Sequence, residues 1–141
     1  MADARRYDAE LARVPLFAGL SGRQRSRLLD KCKVVEHQPG TPVTTEGAGS
    51  LAMHLVLSGA AEVDVRGRKV RDLGPGDYFG EISMIDGKPR SATVTAQDGL
   101  TTLAVPHLAF TDLVEHDPSA AKVLLVALCA RLREAEAAAD R

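Results

Sequence analysis

The chain has 141 residues, enough for one domain around a single buried core and too few for two comfortable ones. Hydrophobic residues make up 45% and charged residues 26%, close to ordinary globular proteins, so neither a disordered nor a fibrous protein is indicated. The net charge is -1 and no long basic run occurs, which argues against nucleic-acid binding through bulk electrostatics.

The first 31 residues predict two short helices. Asp3 to Val14 is rich in good helix formers, and Pro15 rules out continuation of the helix. Ser21 followed by Gln24 is a capping-box pattern, so we expect a second helix that runs to about Lys31.

Residues 33–105 have the pattern of an all-β segment. Short apolar or β-branched runs are separated by turn sequences such as Gln38-Pro39-Gly40 and Gly74-Pro75-Gly76-Asp77. Every second residue of these runs would lie on the same face of a strand, which predicts one buried face for each strand. The absence of helices between the strands predicts an antiparallel sandwich or barrel. Strands are expected within Leu51–Leu57, Val63–Val65, Ala92–Ala96 and Leu100–Val105.

Helical character returns near the end of the chain. Asp117 can cap a helix whose first residue is Pro118 and which runs to about Ala138. Apolar residues three or four apart form a stripe that we interpret as core in preference to a dimer seam, although each could hold at different points along the helix. The stripe consists of Ala121, Leu124, Leu125, Leu128, Leu132 and Ala135.

The segment from Tyr78 to Val94 carries the chemistry. Gly80 removes a side chain where the backbone could approach a ligand, and a helical turn that begins at Glu81 would direct N–H groups outward, including that of Ser83. Such a turn attracts anions.

Arg90 offers a planar fork that suits phosphate oxygens, and Ser91 adds a hydroxyl and a backbone N–H beside it. Glu81 precedes Arg90 by nine residues, so one pocket could hold both, with the carboxylate accepting hydrogen bonds from a sugar hydroxyl. The simpler alternatives are a turn glycine at Gly80, a solvated Glu81, and an Arg90 that is exposed or paired with Glu81.

The segment resembles the phosphate-binding cassette of the cyclic-nucleotide-binding domain family, which includes catabolite-activator-type regulators, regulatory subunits of cAMP-dependent kinase and cyclic-nucleotide-gated channels. The matching residues are Phe79-Gly80-Glu81-Ile82-Ser83 and Pro89-Arg90-Ser91-Ala92-Thr93-Val94. The resemblance extends from Pro15-Leu16-Phe17 through Leu57-Ser58-Gly59 and Leu73-Gly74-Pro75-Gly76-Asp77 to Leu103-Ala104-Val105 and Phe110.

The resemblance implies a mainly β fold with flanking helices: a jelly-roll-like antiparallel β-roll with N-terminal helices and a long C-terminal helix. We expect a single domain over 1–141, helical in 1–31, a β-roll in 33–105, and C-terminal helices in 106–139. The implied ligand residues are Gly80, Glu81, Ile82, Ser83, Arg90, Ser91 and Ala92.

The resemblance also implies a division of roles. Arg90, Ser91 and the backbone near Ser83 would bind the cyclic phosphate, while Gly80 and Glu81 would bind the ribose. The last helix would close over the purine, with a lid drawn from Leu124, Leu125 and Leu128 and with Met84 packing on the moving part.

Ser91 rather than Thr after Arg90 resembles cAMP-binding members, so cAMP is the expected ligand and cGMP the alternative. No further cofactor is expected. The chain would act as a regulatory sensor in signal transduction, and an effector protein or a second copy would detect movement of the last helix. Nothing in the residues decides between a stand-alone protein and a piece of a larger one.

The sequence can be compared with three other functions. A cupin-like metal enzyme lacks its ligands, because the histidines are scattered and Val56 stands where a second His would follow His54; no catalytic arrangement is evident, so a non-enzyme is expected. A DNA-binding regulator needs a helix-turn-helix after the long helix, where this chain stops at Arg141. The serious alternative is a β-roll that serves as a protein-interaction module and no longer binds nucleotide.

The N-terminus and the cysteines predict the compartment. Met1 to Glu10 is polar where a signal peptide needs an apolar core, and no apolar stretch approaches about 18 residues, so we expect a cytoplasmic protein without membrane contact. Cys32 and Cys129 have neither disulfide nor zinc spacing, and two reduced, partly buried thiols are expected.

Overall fold

The computed structural model describes residues 3–44, 51–89 and 92–140. Its helices flank a β-roll, by which we mean two four-stranded sheets packed face to face. After a 3-10 turn at Ala4–Tyr7, the helices are α1 (Asp8–Ala12), α2 (Gly22–Leu29), α3 (Glu81–Asp86), α4 (His107–His116) and α5 (Pro118–Ala139).

The strands pair antiparallel throughout the two sheets. They are β1 (Lys33–His37), β2 (Pro42–Thr44), β3 (Ala52–Ser58), β4 (Ala61–Val65), β5 (Arg68–Leu73), β6 (Tyr78–Phe79), β7 (Thr93–Ala96) and β8 (Leu100–Pro106). One sheet has the order β1-β8-β3-β6 and the other β2-β7-β4-β5. The predicted mainly β, antiparallel fold with flanking helices is confirmed.

Two apolar cores hold these layers together. One lies between the sheets and includes Val56, Phe79 and Val94. The other lies between the outer face of the β1-β8-β3-β6 sheet and the helices, and includes Leu103 and Met84. Because Met84 is fully buried in the second core, α3 is attached to the body of the domain by its apolar side while its first turn lies at the surface of the roll.

The capping predictions are confirmed at two helices. At α2, the Ser21 side chain accepts a hydrogen bond from the Gln24 backbone, and the Gln24 side chain accepts one from the Ser21 backbone. At α5, the Asp117 side chain accepts a hydrogen bond from the backbone N–H of Ala120, and Pro118 is the first helical residue. Both motifs depend on residues within three positions of each other, which is why sequence alone predicted them.

The N-terminal helix expected over Asp3–Val14 is confirmed in part. The segment is helical over residues 4–12, but it is a 3-10 turn capped by the Asp3 side chain at Arg5 N, followed directly by the short α1. Beyond α1, the Val14 N–H bonds to the carbonyl of Leu11, a three-residue spacing that tightens the chain ahead of Pro15.

The expectation of one buried face per strand is wrong for β3. Met53 and Leu55 face the helical core, and the intervening His54 and Val56 are buried as well, on the side that faces the opposite sheet. A strand covered by helices on one face and by a second sheet on the other has no solvent face. In β4, by contrast, one face is buried at Ala61 and Val63, but Val65, which was expected on that buried face with Val63, is only half-buried.

The apolar stripe of α5 is only partly core. Leu124 is 2% exposed, whereas Leu125 is 63% and Leu132 is 60% exposed. The first half of the helix therefore packs on the domain, and the second half extends along its surface. The interpretation of the stripe as core is therefore wrong for Leu125 and Leu132, whereas Leu124 is buried and Leu128 is partly buried.

The two cysteines differ in environment. Cys32 is buried, and Cys129 on α5 is exposed, so the expectation that both are partly buried is wrong for Cys129. In the described parts of the chain, no helix has the length and apolar character required to cross a bilayer.

Candidate nucleotide-binding site

A cavity of about 330 Å³ opens where β6 runs into α3. Tyr78 and Phe79 form β6, Gly80 makes the bend, and Glu81 begins the helix. Gly80 has φ +81, a left-handed conformation that favours glycine, so it serves as a turn glycine. Because glycine has no side chain, the cavity wall is also open beside it.

Five of the seven predicted ligand residues line this cavity: Gly80, Glu81, Ile82, Ser83 and Ala92. Ser83 is buried, Glu81 is half-buried, and the Ile82 side chain is exposed. The other two, Arg90 and Ser91, lie outside the described residues. The structure thus brings the four consecutive residues 80–83 together with Ala92, which directly precedes β7.

Residues that sequence reasoning missed complete the wall. Arg71 comes from β5, Tyr78 from β6 and Arg131 from α5. Arg71 and Arg131 lie ten residues before and fifty residues after Glu81, and neither is marked by a local pattern.

Arg131 and Glu81 form an ion pair across the cavity mouth. The Arg131 Nη1 donates to Glu81 Oε2, and the Arg131 guanidinium lies 5.8 Å from the centre of the Tyr78 ring. The bond to Glu81 raises the pKa of Arg131 above its ordinary value. Burial and the neighbouring Glu81 carboxylate raise the pKa of Tyr78, so its hydroxyl stays protonated at neutral pH.

The ionised side chains of the described wall balance each other. They are Arg71, Asp77, Glu81 and Arg131. Asp77 also accepts a hydrogen bond from the Gly74 backbone N–H at 2.9 Å, which shapes the turn before β6. An anionic ligand would therefore need an additional cationic side chain to be attracted to this cavity.

The proposed lid residues do not reach this cavity. Leu124 is buried in the helical core, Leu125 points to solvent, and neither they nor Leu128 belong to the described wall. Met84 packs in the same core and does not belong to the described wall. In this conformation, Arg131 is the α5 residue that the described wall contains.

Two histidines, the half-buried His37 and the buried His54, share one hydrogen-bond partner. His37 Nε2 and His54 Nδ1 lie 3.0 and 2.9 Å from the Thr102 hydroxyl oxygen, and the His54 ring stacks on Phe79 at 5.2 Å. His107 instead bonds to the Met84 carbonyl, and His116 lies at the end of α4. Across residues 3–44, 51–89 and 92–140, no three His, Cys, Asp or Glu side chains are grouped as metal ligands would be.

Comparison with known proteins gives the same assignment as the fold and the site. Residues 34–117 match the profile of the cyclic nucleotide-binding domain family, which covers more than half of the chain. The chain therefore belongs to the cyclic nucleotide-binding domain family.

The similar proteins include a kinase regulatory subunit, a protein kinase and a domain of a transcriptional regulator. The chain is 39% identical to a cAMP-dependent protein kinase regulatory subunit of Yarrowia lipolytica over 80% of its own length, and 38% identical to a cGMP-dependent protein kinase of Toxoplasma gondii over 62%. It spans about a third of the first relative (33%) and 9% of the second. The N-terminal domain of a transcriptional regulator from Streptomyces coelicolor superposes with a TM-score of 0.81 at 29% identity, covering 92% of this chain and 94% of that one.

Proposed function

We propose that this chain is a sensor domain that binds a cyclic nucleotide, cAMP in preference to cGMP, in the cavity at the start of α3, and that it signals through the position of α5. The observation that carries this proposal is the convergence of Gly80, Glu81, Ser83 and their neighbours on one cavity. A volume of about 330 Å³ is at the small end of the range for small-molecule sites.

The roles follow from chemistry. The half-buried Glu81 carboxylate accepts hydrogen bonds from ribose hydroxyls, and Gly80 lets the sugar approach the backbone. Arg90 and Ser91 remain predicted contacts of the cyclic phosphate. Because the charges of the described wall cancel, a guanidinium from Arg90 would provide the cation that an anionic ligand requires. The chain binds and does not catalyse under this proposal.

The preference for adenine over guanine is inferred from one residue and one relative. Ser91 after Arg90 resembles cAMP binders, and the Yarrowia relative is a subunit of a cAMP-dependent kinase. One observation favours cGMP: Arg71 lines the cavity, and a guanidinium can donate to both O6 and N7 of guanine, whereas adenine presents an amino group in place of O6. cGMP is therefore the second candidate ligand.

Output would come through α5. Its first half is fixed by buried Ala120 and Leu124, and its exposed second half carries Arg131 to the cavity. A ligand shifts such a helix only if it binds one helix position better than another. An effector protein or a second copy would detect the shift, and a cytoplasmic location remains a prediction.

Calorimetry with cAMP and cGMP on the wild type and on Arg90→Leu tests the site. Loss of the phosphate cation should weaken binding by roughly thirtyfold to several thousandfold, because truncating a desolvated charge contact costs about 2 to 5 kcal/mol. Arg68→Leu, which removes an exposed arginine of β5 outside the described wall, is the matched control and should bind as the wild type does.

The same titrations decide the ligand and the ribose role. The wild type should bind cAMP better than 2′-deoxy-cAMP, and Glu81→Ala should bind both equally. Tighter binding of cGMP that is lost in Arg71→Ala would reverse the preference. If the wild type binds neither nucleotide, the chain is a β-roll interaction module and the proposal is wrong.

A further inference from the structure

We infer that His107 is a positioning residue for the phosphate side of the ligand site: it holds the last turn of α3, from which the chain continues toward Arg90. This inference rests on the proposed function of the cavity. It concerns the end of α3 that lies away from Glu81, and a histidine to which the proposed function gives no role.

A side chain from α4 closes the C-terminal end of α3. His107 is the first residue of α4, and its Nδ1 lies 2.5 Å from the carbonyl oxygen of Met84, 23 positions earlier in the chain. A carbonyl oxygen can only accept a hydrogen bond, so Nδ1 is the donor and carries the hydrogen. The last carbonyls of a helix have no partner within the helix, and the imidazole therefore provides a partner for one of them.

The ring of His107 also packs against the residue at which the chain leaves α3. Gly87 ends the helix with φ +70, a left-handed conformation that favours glycine. A Cβ atom placed on Gly87 would lie 3.4 Å from both Cε1 and Nε2 of His107. The Gly87 N–H donates to the Ser83 carbonyl at 2.9 Å, and the Asp86 side chain accepts from the Lys88 N–H at 2.9 Å. The start of the segment that follows α3 is therefore held by hydrogen bonds on both sides of Gly87 and by the imidazole ring.

His107 has a fixed position from which to hold α3. It lies where β8 joins α4, and its backbone N–H donates to the Leu51 carbonyl at 2.7 Å, directly before β3. In contrast, α3 has only six residues, and so short a helix is marginal on its own. Its position depends on tertiary contacts, which include the buried Met84 side chain in the helical core and the bond from His107 at the C-terminal end.

The two ends of α3 serve different parts of the proposed site. Glu81, proposed for the ribose, is the first residue of the helix, whereas Arg90, proposed for the phosphate, follows Gly87 by three residues in the sequence. A binding side chain needs supporting contacts that fix the backbone from which it starts. Loss of the His107 bond should therefore weaken the phosphate contact and leave the ribose contact unchanged.

Calorimetry of the full chain with cAMP and 2′-deoxy-cAMP tests the role of His107. His107→Phe keeps a ring and removes the donor, so it should bind cAMP roughly 3- to 10-fold more weakly. The ratio of the two dissociation constants should keep its wild-type value, because Glu81 lies at the other end of α3. His107→Asn, whose side-chain amide can donate to the same carbonyl, should recover most of the lost affinity.

A double-mutant cycle tests whether His107 acts through the segment that carries Arg90. In the Arg90→Leu background, the addition of His107→Phe should weaken cAMP binding by less than about twofold, because the contact that His107 supports is already lost. NMR titration measures these weaker affinities.

His116→Phe is the matched control. It makes the same change on the same helix, at an exposed histidine whose ring bonds to the Asp112 carbonyl within α4. It should leave both dissociation constants unchanged. Circular dichroism of every variant checks that the fold is kept, and His107→Ala, which removes the same donor without added bulk, replaces His107→Phe if that variant fails to fold.

The outcomes separate the positioning role from the function on which it rests. Failure of the wild type to bind either nucleotide would overturn the proposed function and the positioning role together. Wild-type affinity for cAMP in His107→Phe would overturn only the positioning role. A ratio that falls toward one in that variant would also overturn it, because His107 would then support the whole of α3. The same holds for a loss that persists in full in the Arg90→Leu background.

Discussion

The side-chain nitrogen of Gln24 donates to Asp117 Oδ2 at 3.2 Å, joining residues 93 positions apart. The same nitrogen lies 3.0 Å from the hydroxyl of Ser119. Each partner also caps its own helix, since Gln24 completes the capping box of α2 and Asp117 caps α5. The first turns of the two helices are therefore joined by side-chain hydrogen bonds, which attach the N-terminal end of α5 to α2.

Asp117→Ala should lower the melting temperature by about 2–6 °C, because α5 loses its cap and α2 loses a partner. Hydrogen bonds from Ser119, Ala120 and Gln24 lower the pKa of Asp117 below its ordinary 3.8. A lowered carboxyl pKa stabilises the fold above the unfolded-state value, and this stabilisation is lost as pH falls through the folded-state value. The difference in melting temperature between the two proteins should therefore be full at pH 7 and shrink as the pH falls below 3.8; a difference that stays unchanged in acid would contradict this account.

Leu124 and Leu125 are neighbours on α5 with opposite environments, and they make a matched pair. Leu124→Ala should cost about 2–5 kcal/mol in the free energy of unfolding, because it leaves a cavity in the helical core. Leu125→Ala should change it by no more than about 0.5 kcal/mol, because the side chain is 63% exposed. Urea denaturation measures both values, and equal losses would show that the second leucine is covered in solution.

The half-buried His37, which shares the Thr102 hydroxyl with the buried His54, predicts a pH dependence near neutrality. Burial lowers the pKa of His37 below its ordinary 6.5. The unfolded chain then binds a proton at a pH where the folded chain does not, so the free energy of unfolding falls as pH decreases through about 6.5. Urea titrations at pH 7.5 and 5.5 should show a smaller loss in His37→Gln than in the wild type. His116→Gln, at the exposed end of α4, should retain the wild-type loss.

The two thiols should react very differently. Burial raises the pKa of Cys32 to about 12, and its thiol lies 3.2 Å from the Leu28 carbonyl oxygen. Because the thiolate is the reactive form, Cys32 should be modified at least about 100-fold more slowly than the exposed Cys129 at pH 8. A thiol reagent should titrate one cysteine per native chain and two in urea. Rapid modification of both native thiols would contradict the burial of Cys32.

Features formed by residues close together in the sequence could be predicted, because they depend on hydrogen bonds and bends that span a few positions. The capping box at Ser21 and Gln24 and the Pro118 start of α5 depend on hydrogen bonds that span three positions. Glu81 and its neighbours reach one cavity because a bend at Gly80 places consecutive residues along the same wall. The roles of Arg90 and Ser91 stay predictions.

Contacts between distant elements could not be predicted in this way. Arg71 and Arg131 reach the cavity only because β5 and α5 pack where they do. His37 and His54 appeared scattered in the sequence, yet β8 lies between their strands in the sheet and supplies the shared Thr102. The two buried faces of β3 likewise depend on which layers cover the strand.

From the sequence alone, turn residues and strand alternation predicted an antiparallel sandwich or barrel, because these signals act over a few positions; the resemblance to the cyclic-nucleotide-binding domain family implied the β-roll and the phosphate-binding cassette. The tertiary structure decided which half of α5 is core, which of its side chains meets Glu81, and which strand is covered on both faces. These features depend on how layers pack over tens of residues, where the free energy comes from burial that no local pattern specifies.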